Sequence, residues 1–414
     1  MVLAIVSLLS IFIAVAIGFW KNINVGLIAL LFALVLGHYF GDIPVATIIG
    51  YWPLRLFFTT FGVTLLFSIA RLNGTLERLS KWIIYQSRGR KALIPVLFYV
   101  LALFLASIGP GNISTSALLL PIGIMIAAGT GISILLMSGL IIFGSIAGGL
   151  SPIAPNGIVA LELAQMHGVG DLGWSIYLSN VLSITVFSGL MFIVLGGLKM
   201  NGERVAIERP APFNRIQIVT LIAVAILVAF VIVTGVNVGF AAFAISVFLF
   251  LFKAADQNEA IAGVPWSTLL LICGTAVLIS VSDELGGVEL LTDFLARLMN
   301  AFTAVPILAL LSGVMSIFSS AVGVVMPTLI PTSVDLSEAL SGSVSPALIT
   351  TTIAVGSHMT TTSPFSTMGA LALASAPDSV DKKKLFKDLF VLSFIAVAFI
   401  ALFGFLGGLG LFLP

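Results

Sequence analysis

Residues 107–123 read SIGPGNISTSALLLPIG and interrupt a long apolar run with small and polar side chains. Only 8% of the 414 residues are charged and 59% are hydrophobic, against about 25% charged in an average soluble domain. Such a composition is typical of a polytopic membrane protein. Non-helical backbone is tolerated at membrane depth only where protein buries it or water reaches it. The stretch therefore predicts a re-entrant hairpin whose polar tip faces other protein segments.

The apolar segments predict the membrane topology. Those long enough to cross about 30 Å of hydrocarbon lie at 2–20, 24–41, 54–72, 133–165, 174–197, 216–234, 236–252, 266–282, 343–376 and 386–413. Two more, 93–128 and 303–333, are broken in the middle by small and polar residues. We interpret both as re-entrant hairpins, which gives an all-α fold with about ten transmembrane helices.

The basic residues agree with this topology. If both hairpins enter and leave on the same side, 16 of the 18 lysines and arginines fall on one face, and only Arg55 and Arg297 on the other. The positive-inside rule makes the basic face cytoplasmic. We therefore expect a multi-pass protein of a prokaryotic plasma membrane, the cell inner membrane, with both chain termini outside.

Two halves of the chain match at a constant offset of 212 residues. Gly62, Gly74, Glu77, Ser151, Pro152 and Gly157 correspond to Gly274, Gly286, Glu289, Ser363, Pro364 and Gly369. Each half holds an odd number of spans, so the second half must be inverted in the membrane relative to the first. Inverted repeats with broken hydrophobic segments at matching positions indicate a secondary transporter with its site near the midplane.

The repeats divide the chain at residue 205. In repeat 1–205 we expect scaffold spans at 2–72, a surface helix at 73–92, a hairpin at 93–128, a broken helix at 133–165 and a span at 174–197. In repeat 206–414 the corresponding segments are scaffold spans at 216–282, a surface helix at 284–302, a hairpin at 303–333, a broken helix at 343–376 and a span at 386–413. The surface helices are expected to frame a mobile unit.

Four polar interruptions occupy repeat-related positions, at 109–116, 147–157, 318–323 and 356–369. A discontinuous helix exposes free amides at the start of one half and free carbonyls at the end of the other. The amides suit an anion and the carbonyls suit a cation. Because serine, threonine or asparagine clusters at all four interruptions, we predict that together they form a binding site. His358 lies in one of them, as either a structural histidine or a ligand or proton carrier.

Three features that the sequence lacks limit the transport mechanisms that it could support. The sequence has no lysine or arginine at predicted mid-membrane positions, no convincing buried carboxylate pair of the kind a cation exchanger needs, and no GxxxxGK[ST] nucleotide-binding pattern. We therefore expect a transporter driven by an ion gradient or by the gradient of the substrate itself, with no catalytic site and no nucleic-acid partner. An anionic substrate would be held by hydroxyls, amides and co-bound cations.

The segment GNISTSALLLPIG resembles the Ser-Asn-Thr hairpin motif of the divalent anion/sodium symporters of the ion transporter superfamily. Matching backwards from Pro121 places the tripeptide on Gly111, Asn112 and Ile113, so only the asparagine is retained, and the second copy falls on 319–321. The interruption AGGLSPIAPNG is similar to the family's unwound helix. With SPIAPNGIVA and the short hairpins, the chain most resembles malonate and dicarboxylate carriers of the MatC type.

The resemblance implies a homodimer of the elevator type, in which hairpins and broken helices carry a small dicarboxylate, such as malonate or a C4 acid, past a fixed scaffold. The implied substrate residues are Asn112, Ser114, Thr115, Pro155, Asn156, Ser320, Thr361, Thr362 and Ser363. One sodium ion is implied at each hairpin, near Asn112, Ser114, Gly149 and Ser151, and near Ser319, Ser320, Thr360 and Ser363.

Alternatives stay open because the superfamily is broad. A sodium/proton antiporter or an arsenite-type oxyanion exporter would share the fold, and the chain could also be the membrane subunit of a tripartite carrier. The sequence does not fix the acid, the coupling ion or its stoichiometry.

Overall fold

The computed structural model describes residues 1–21, 23–86, 88–200, 209–234, 236–377 and 380–413. Within these ranges the regular elements are all helices, which confirms the all-α prediction. The predicted boundary between the repeats, after residue 205, lies outside the described residues.

The helices follow the chain order that the apolar segments predict. Up to residue 200 they are Val2–Lys21, Val25–Ala33 with the π-helical continuation Leu34–Phe40, Val45–Gly50, Leu54–Leu72, Thr75–Tyr85, Leu93–Ser107, Gly111–Thr130, Ile134–Gly149, Pro155–Met166, Gly173–Val194 and the 3₁₀ turn Gly197–Met200. From residue 215 they are Arg215–Thr234, Val238–Leu251, Gln257–Ala262, Trp266–Glu284, Gly287–Leu298, Ala304–Phe318, Ala321–Val325, Met326–Leu329, Ile330–Thr332, Ser333–Ala339, Pro346–His358, Thr367–Ser375, Lys382–Phe405 and Gly408–Gly410.

Many of these helices are apolar enough to lie in a membrane. Among the described residues, 5 helical stretches have the length and composition to cross a bilayer unaided, and shorter apolar helices accompany them. The shorter ones include Leu93–Ser107, the first leg of the first predicted hairpin, and Ile134–Gly149, the first half of the first broken helix. The fold is therefore that of a multi-pass membrane protein.

The first hairpin consists of helices Leu93–Ser107 and Gly111–Thr130. Its turn spans only 108–110, so the second helix begins inside the polar stretch 109–116 that was predicted to form the tip. Gly109 has a φ of 134°, and a Cβ atom there would lie 2.0 Å from Cε2 of Phe67. Both the left-handed backbone and the close approach of the aromatic ring require glycine at this turn.

The second hairpin has a different return leg. Ala304–Phe318 forms its first leg, and after Ser319 and Ser320 the chain continues through the π-helical turn Ala321–Val325 and two short helical segments to Thr332. Pro327 and Pro331 lie in this return leg, and a proline removes a backbone donor from the regular helical pattern. The leg is consequently a succession of short helical turns.

Each broken helix consists of two helical halves, and the two broken helices resemble each other in how these halves begin. Ser133 and Ser345 cap the first halves, Ile134–Gly149 and Pro346–His358, by accepting hydrogen bonds from Leu136 N at 3.3 Å and from Leu348 N at 3.2 Å. The second halves are Pro155–Met166 and Thr367–Ser375, which leaves 150–154 and 359–366 as the interruptions. Serine caps and proline in the first turn are strong helix-start signals.

Helices of the first half of the chain pack against helices of the second half. Leu54–Leu72 packs against Val238–Leu251, and Val25–Ala33 packs against Trp266–Glu284. At the first crossing a Cβ on Gly62 would lie 2.3 Å from the Gly239 carbonyl oxygen, and at the second a Cβ on Gly274 would lie 2.2 Å from that of Gly26. Glycine pairs that bring backbones this close are typical of membrane helix interfaces. The two crossings fall at positions that the proposed repeat relates.

Candidate substrate site

The two interruptions of the broken helices adopt the same backbone turn. In the first, Ser151 N donates to Gly148 O at 3.0 Å and Ala154 N donates to Ser151 O at 2.9 Å. In the second, Ser363 N donates to Thr360 O and Ser366 N to Ser363 O, both at 2.9 Å. These turns satisfy part of the backbone that the broken helices leave unpaired, and they orient the second halves toward the protein interior.

Gly157 and Gly369 allow each turn to fold back on its following helix. A Cβ would lie 1.9 Å from Ser151 O at Gly157 and 2.1 Å from Ser363 O at Gly369. Any larger residue would push the turn away from the helix start. This close approach explains the repeated pattern of a glycine six residues after a serine.

The second hairpin tip is organised by two serines. Ser320 Oγ accepts a hydrogen bond from Gly323 N at 3.0 Å, so the serine caps the return leg and keeps its own proton available. Ser319 Oγ donates to Met315 O at 2.7 Å, which leaves its lone pairs available. The tip thus offers one hydroxyl donor and one hydroxyl acceptor side by side.

A cavity of about 420 Å³ lies where the hairpin tips meet the broken helices. The four interruptions line it with Asn112 and Ile113, with Asn156, with 319–322 and Val324, and with His358, Thr361 and 365–368. The helices Val2–Lys21, Val25–Ala33 and Trp266–Glu284 complete the wall with Val15, Gly18, Val25, Thr268 and Leu271. The volume is within the usual range for a small-molecule site.

The cavity wall mixes polar side chains with apolar ones and carries no Asp, Glu, Lys or Arg among the lining residues. Helical segments begin along it, namely Gly111–Thr130, Pro155–Met166, Ala321–Val325 and Thr367–Ser375. The start of a helix exposes unpaired amides and the positive end of the helix dipole. Helix starts of this kind suit an anion without any basic side chain.

Two asparagines that line the cavity have fixed amide orientations. Asn112 Oδ1 accepts from Ile113 N at 2.9 Å, so its amide nitrogen is available to a ligand. Asn156 Nδ2 lies 2.9 Å from His358 Nε2, and His358 Nδ1 lies 3.0 Å from Ala354 O. Asn156 and His358 are both buried, at 8% and 0% exposure, and together they join the two broken helices.

The sequence-predicted residues separate into those at the cavity and those behind it. Asn112, Asn156, Ser319, Ser320 and Thr361 line the cavity. Thr361 Oγ1 donates to His358 O at 3.0 Å, so it offers lone pairs to a ligand. These residues come from all four interruptions, and the structure brings them to one place.

Other predicted residues lie outside the cavity wall. Ser114 lines a separate cavity of about 20 Å³ with Thr64 and Phe67. Pro155 lies under the first hairpin tip, since a Cβ on Gly111 would be 3.1 Å from its Cδ. Thr115 and Thr362 are buried, and their hydroxyls lack a hydrogen-bond partner among the described residues.

The remaining residues of the predicted sodium sites support the interruptions. Gly149 contacts Asn112, because a Cβ on the glycine would lie 3.4 Å from the asparagine Cβ. Ser363 Oγ donates to Ile317 O at 3.1 Å and ties the second broken helix to the second hairpin. Ser151 and Thr360 are buried within the two turns. Among the described residues no group of three or more His, Cys, Asp or Glu could hold a metal ion.

Sequence reasoning did not predict the scaffold contribution. Val15, Val25, Thr268 and Leu271 reach the cavity from spans that carry no local polar signal. Ser366 was detectable, because it lies just before a helix and caps it by accepting from Gly369 N at 3.4 Å. The sequence leaves open whether His358 is a structural residue, a ligand or a proton carrier. The structure gives each of its ring nitrogens a partner.

The cavity and the surrounding broken helices define a membrane transporter fold. The chain is similar in structure to the YdaH transporter of Alcanivorax borkumensis, whose crystal structure is described as revealing an unusual topology. The TM-score is 0.61 at 13% sequence identity, with 87% of this chain and 86% of that chain covered. At such low identity the likeness establishes the fold alone.

The sequence comparison is more specific. Residues 1–149 match the family model of the dicarboxylate carrier protein MatC N-terminus, which confirms the MatC-type resemblance for that part of the chain. No curated protein matches the sequence. The matched segment holds the first hairpin and the first half of the first broken helix.

Proposed function

We propose that the protein is a secondary active transporter that takes up a small dicarboxylate, such as malonate or a C4 acid, together with sodium. The observation that supports this most is the uncharged cavity at which several helices begin. Each helix start contributes the equivalent of about half a positive charge. Those partial charges attract a carboxylate, and co-transported cations offset the rest of the substrate's charge.

The family resemblance implies one sodium ion at each hairpin, held by hydroxyl and backbone carbonyl oxygens. The first would bind near Asn112, Gly149 and Ser151, without Ser114, whose side chain lines a separate cavity, and the second near Ser319, Ser320, Thr360 and Ser363. The broken helices end their first halves at Gly149 and His358, where unpaired carbonyls favour a cation. The sodium ions would bind first and strengthen the positive potential that the substrate meets.

Movement of the whole site across the membrane would follow an elevator mechanism. The hairpins and broken helices would form the moving unit, and the helices in 2–72 and 216–282 would form a dimeric scaffold in the prokaryotic inner membrane. Two inverted repeats, 1–205 and 206–414, would supply the inward- and outward-facing states by exchanging conformations. The exchanged packing of Leu54–Leu72 and Trp266–Glu284 with opposite halves supports this proposal.

Reconstitution tests the proposal directly. The purified chain in proteoliposomes should accumulate radiolabelled malonate or succinate when sodium is high outside, and replacing sodium with choline should abolish the accumulation. Uptake that ignores an imposed sodium gradient would contradict sodium coupling. Complete absence of dicarboxylate binding and uptake would instead favour an antiporter, an oxyanion exporter or a subunit that needs a soluble binding protein.

A further inference from the structure

Asn156 and His358 form a buried contact between the two broken helices. Asn156 is the second residue of helix Pro155–Met166, and His358 is the last residue of helix Pro346–His358. Asn156 Nδ2 and His358 Nε2 are 2.9 Å apart, and both residues line the cavity. The contact therefore determines which atoms of the asparagine a ligand can reach.

The backbone fixes the histidine tautomer. His358 Nδ1 lies 3.0 Å from Ala354 O, and a carbonyl oxygen can only accept, so Nδ1 carries a proton. A neutral imidazole then has a lone pair on Nε2. Protonation of both nitrogens is opposed by complete burial of the ring and by the lack of any carboxylate among the lining residues.

The tautomer in turn fixes the amide of Asn156. Because His358 Nε2 accepts, Asn156 must turn its NH₂ group toward the ring, since the reversed amide would place two acceptors against each other. The carbonyl oxygen Oδ1 then points away from the histidine. No hydrogen bond joins this oxygen to another described residue, and Asn156 lines the cavity, so Oδ1 is left for the ligand.

Asn112 has the opposite arrangement. Its Oδ1 is occupied by Ile113 N at 2.9 Å, so its NH₂ group is left for the ligand. The cavity therefore offers an amide donor from the first hairpin and an amide acceptor from the first broken helix. An ionised carboxylate has only acceptors and can use the first but not the second.

We propose that His358 is a positioning residue that holds the carbonyl oxygen of Asn156 toward the cavity, so that the carrier takes its dicarboxylate in the singly protonated form. The proposal rests on the proposed function and specifies its substrate. The ionised carboxylate accepts from Asn112 and from the helix starts, while the neutral carboxyl group donates its O–H to Asn156 Oδ1. The proton arrives on the substrate from solution and leaves with it on the other side.

A cation at Asn156 Oδ1 is the less favourable occupant. Asn156 lies in the first turn of helix Pro155–Met166, where the dipole is positive and repels a cation. A neutral O–H donor meets no such repulsion. His358 is the only titratable side chain among the residues that line the cavity from the hairpins, the broken helices and the scaffold.

A comparison of three ligands distinguishes binding of singly protonated malonate from binding of its dianion. Calorimetry on the purified full chain, between about pH 5 and pH 8 at fixed sodium, should compare malonate with its half-amide and its half-methyl ester. Above the second pKa of malonate, its apparent Kd should rise about tenfold per pH unit. The half-amide keeps an N–H donor at every pH, so its Kd should stay constant, and the half-ester, which lacks the donor, should bind more weakly.

Two variants test the role of His358. In His358→Leu the amide of Asn156 is free to reverse, so malonate should lose its pH dependence and the half-amide its advantage over the half-ester. His358→Gln places an acceptor near the position of Nε2 and should retain both properties, which also shows that the first variant's change is not a folding defect.

The outcomes are distinguishable. A malonate Kd that does not rise with pH, or equal binding of half-amide and half-ester, would overturn the assignment while leaving a dicarboxylate site intact. A half-amide that binds more tightly at low pH would indicate protonation of His358 instead and would also overturn it. If no dicarboxylate binds at any pH, the proposed function itself fails.

Discussion

The Nε atom of Arg55 lies 2.9 Å from Oε1 of Glu162, and this ion pair joins the helix Leu54–Leu72 to the helix Pro155–Met166. The first helix belongs to the proposed scaffold and the second to the proposed moving unit. Arg55 is one of the two basic residues assigned to the external face, and Glu162 has a side-chain exposure of only 12%. The pair therefore links the two parts in the conformation that the structure captures.

If the site moves relative to the scaffold, this ion pair must break in every cycle. Glu162→Gln should reduce the population of the captured conformation about two- to fivefold, since a partly exposed pair contributes up to about 1 kcal/mol. The population can be measured by disulfide crosslinking of one cysteine on each helix, in a Cys273→Ala background that removes the native thiol.

Arg297→Gln is the matched control for this experiment. Arg297 is the other basic residue assigned to the external face, and it is exposed on the surface helix Gly287–Leu298. Its removal should leave the crosslinking yield unchanged. An unaltered yield in Glu162→Gln would mean that the ion pair does not stabilise the captured conformation.

A second prediction concerns the donor side of the cavity. Asn112→Ala should raise the KM for dicarboxylate uptake by about tenfold or more, because a hydrogen bond to a charged group contributes about 1.5–3 kcal/mol. Asn258→Ala removes an exposed asparagine at the start of Gln257–Ala262, far from the cavity lining, and should leave KM unchanged. Wild-type KM and sodium dependence in Asn112→Ala would rule out the site proposed here.

The sequence predicts the interruptions of the broken helices because the residues that interrupt a helix act on the backbone where they stand. Proline, glycine and capping serines end or begin helices wherever they occur, so the turns at 150–154 and 359–366 lie inside the predicted stretches 147–157 and 356–369. The same clusters of small and polar residues predict which parts of the hairpins and broken helices line the cavity. The sequence predicts Asn112, Asn156 and Ser320 as site residues, and all three line the cavity.

The sequence could not specify which members of a polar cluster face the cavity. The second helix of the first hairpin begins at Gly111, and successive helical side chains differ in direction by about 100°. Asn112 and Ile113 consequently face the cavity, while Ser114 and Thr115 point elsewhere. The contributions of Val15 and Thr268 depend on how distant spans pack, which no local pattern encodes.

A third prediction tests the close helix crossings. A Cβ on Gly26 would lie 2.0 Å from the carbonyl oxygen of Leu270, so Gly26→Ala must separate the two helices. We expect a loss of about 1–3 kcal/mol in stability, seen as a lower melting temperature in detergent. Gly62→Ala should behave alike, since its Cβ would lie 2.3 Å from Gly239 O.

Gly189 provides the matched control for these glycine variants. It lies within the helix Gly173–Val194, and a Cβ there would meet nothing within 4 Å. Gly189→Ala should leave the melting temperature unchanged or raise it, because alanine favours the helix over glycine by about 1 kcal/mol. If Gly26→Ala were as stable as Gly189→Ala, the backbones at that crossing would not be in direct contact.

The last prediction concerns Ser114, for which the family motif and the geometry imply different roles. The resemblance places Ser114 in a sodium site, whereas the structure places it in a separate cavity of about 20 Å³ beside Thr64 and Phe67. From the geometry, Ser114→Ala should change the Kd for malonate and the sodium concentration at half-maximal uptake by no more than about twofold. Asn112→Ala, two residues earlier on the same helix, should change both by far more. A large rise in the sodium requirement of Ser114→Ala would favour the motif and would place the first sodium ion behind the hairpin tip, because a lost hydroxyl ligand weakens cation binding directly.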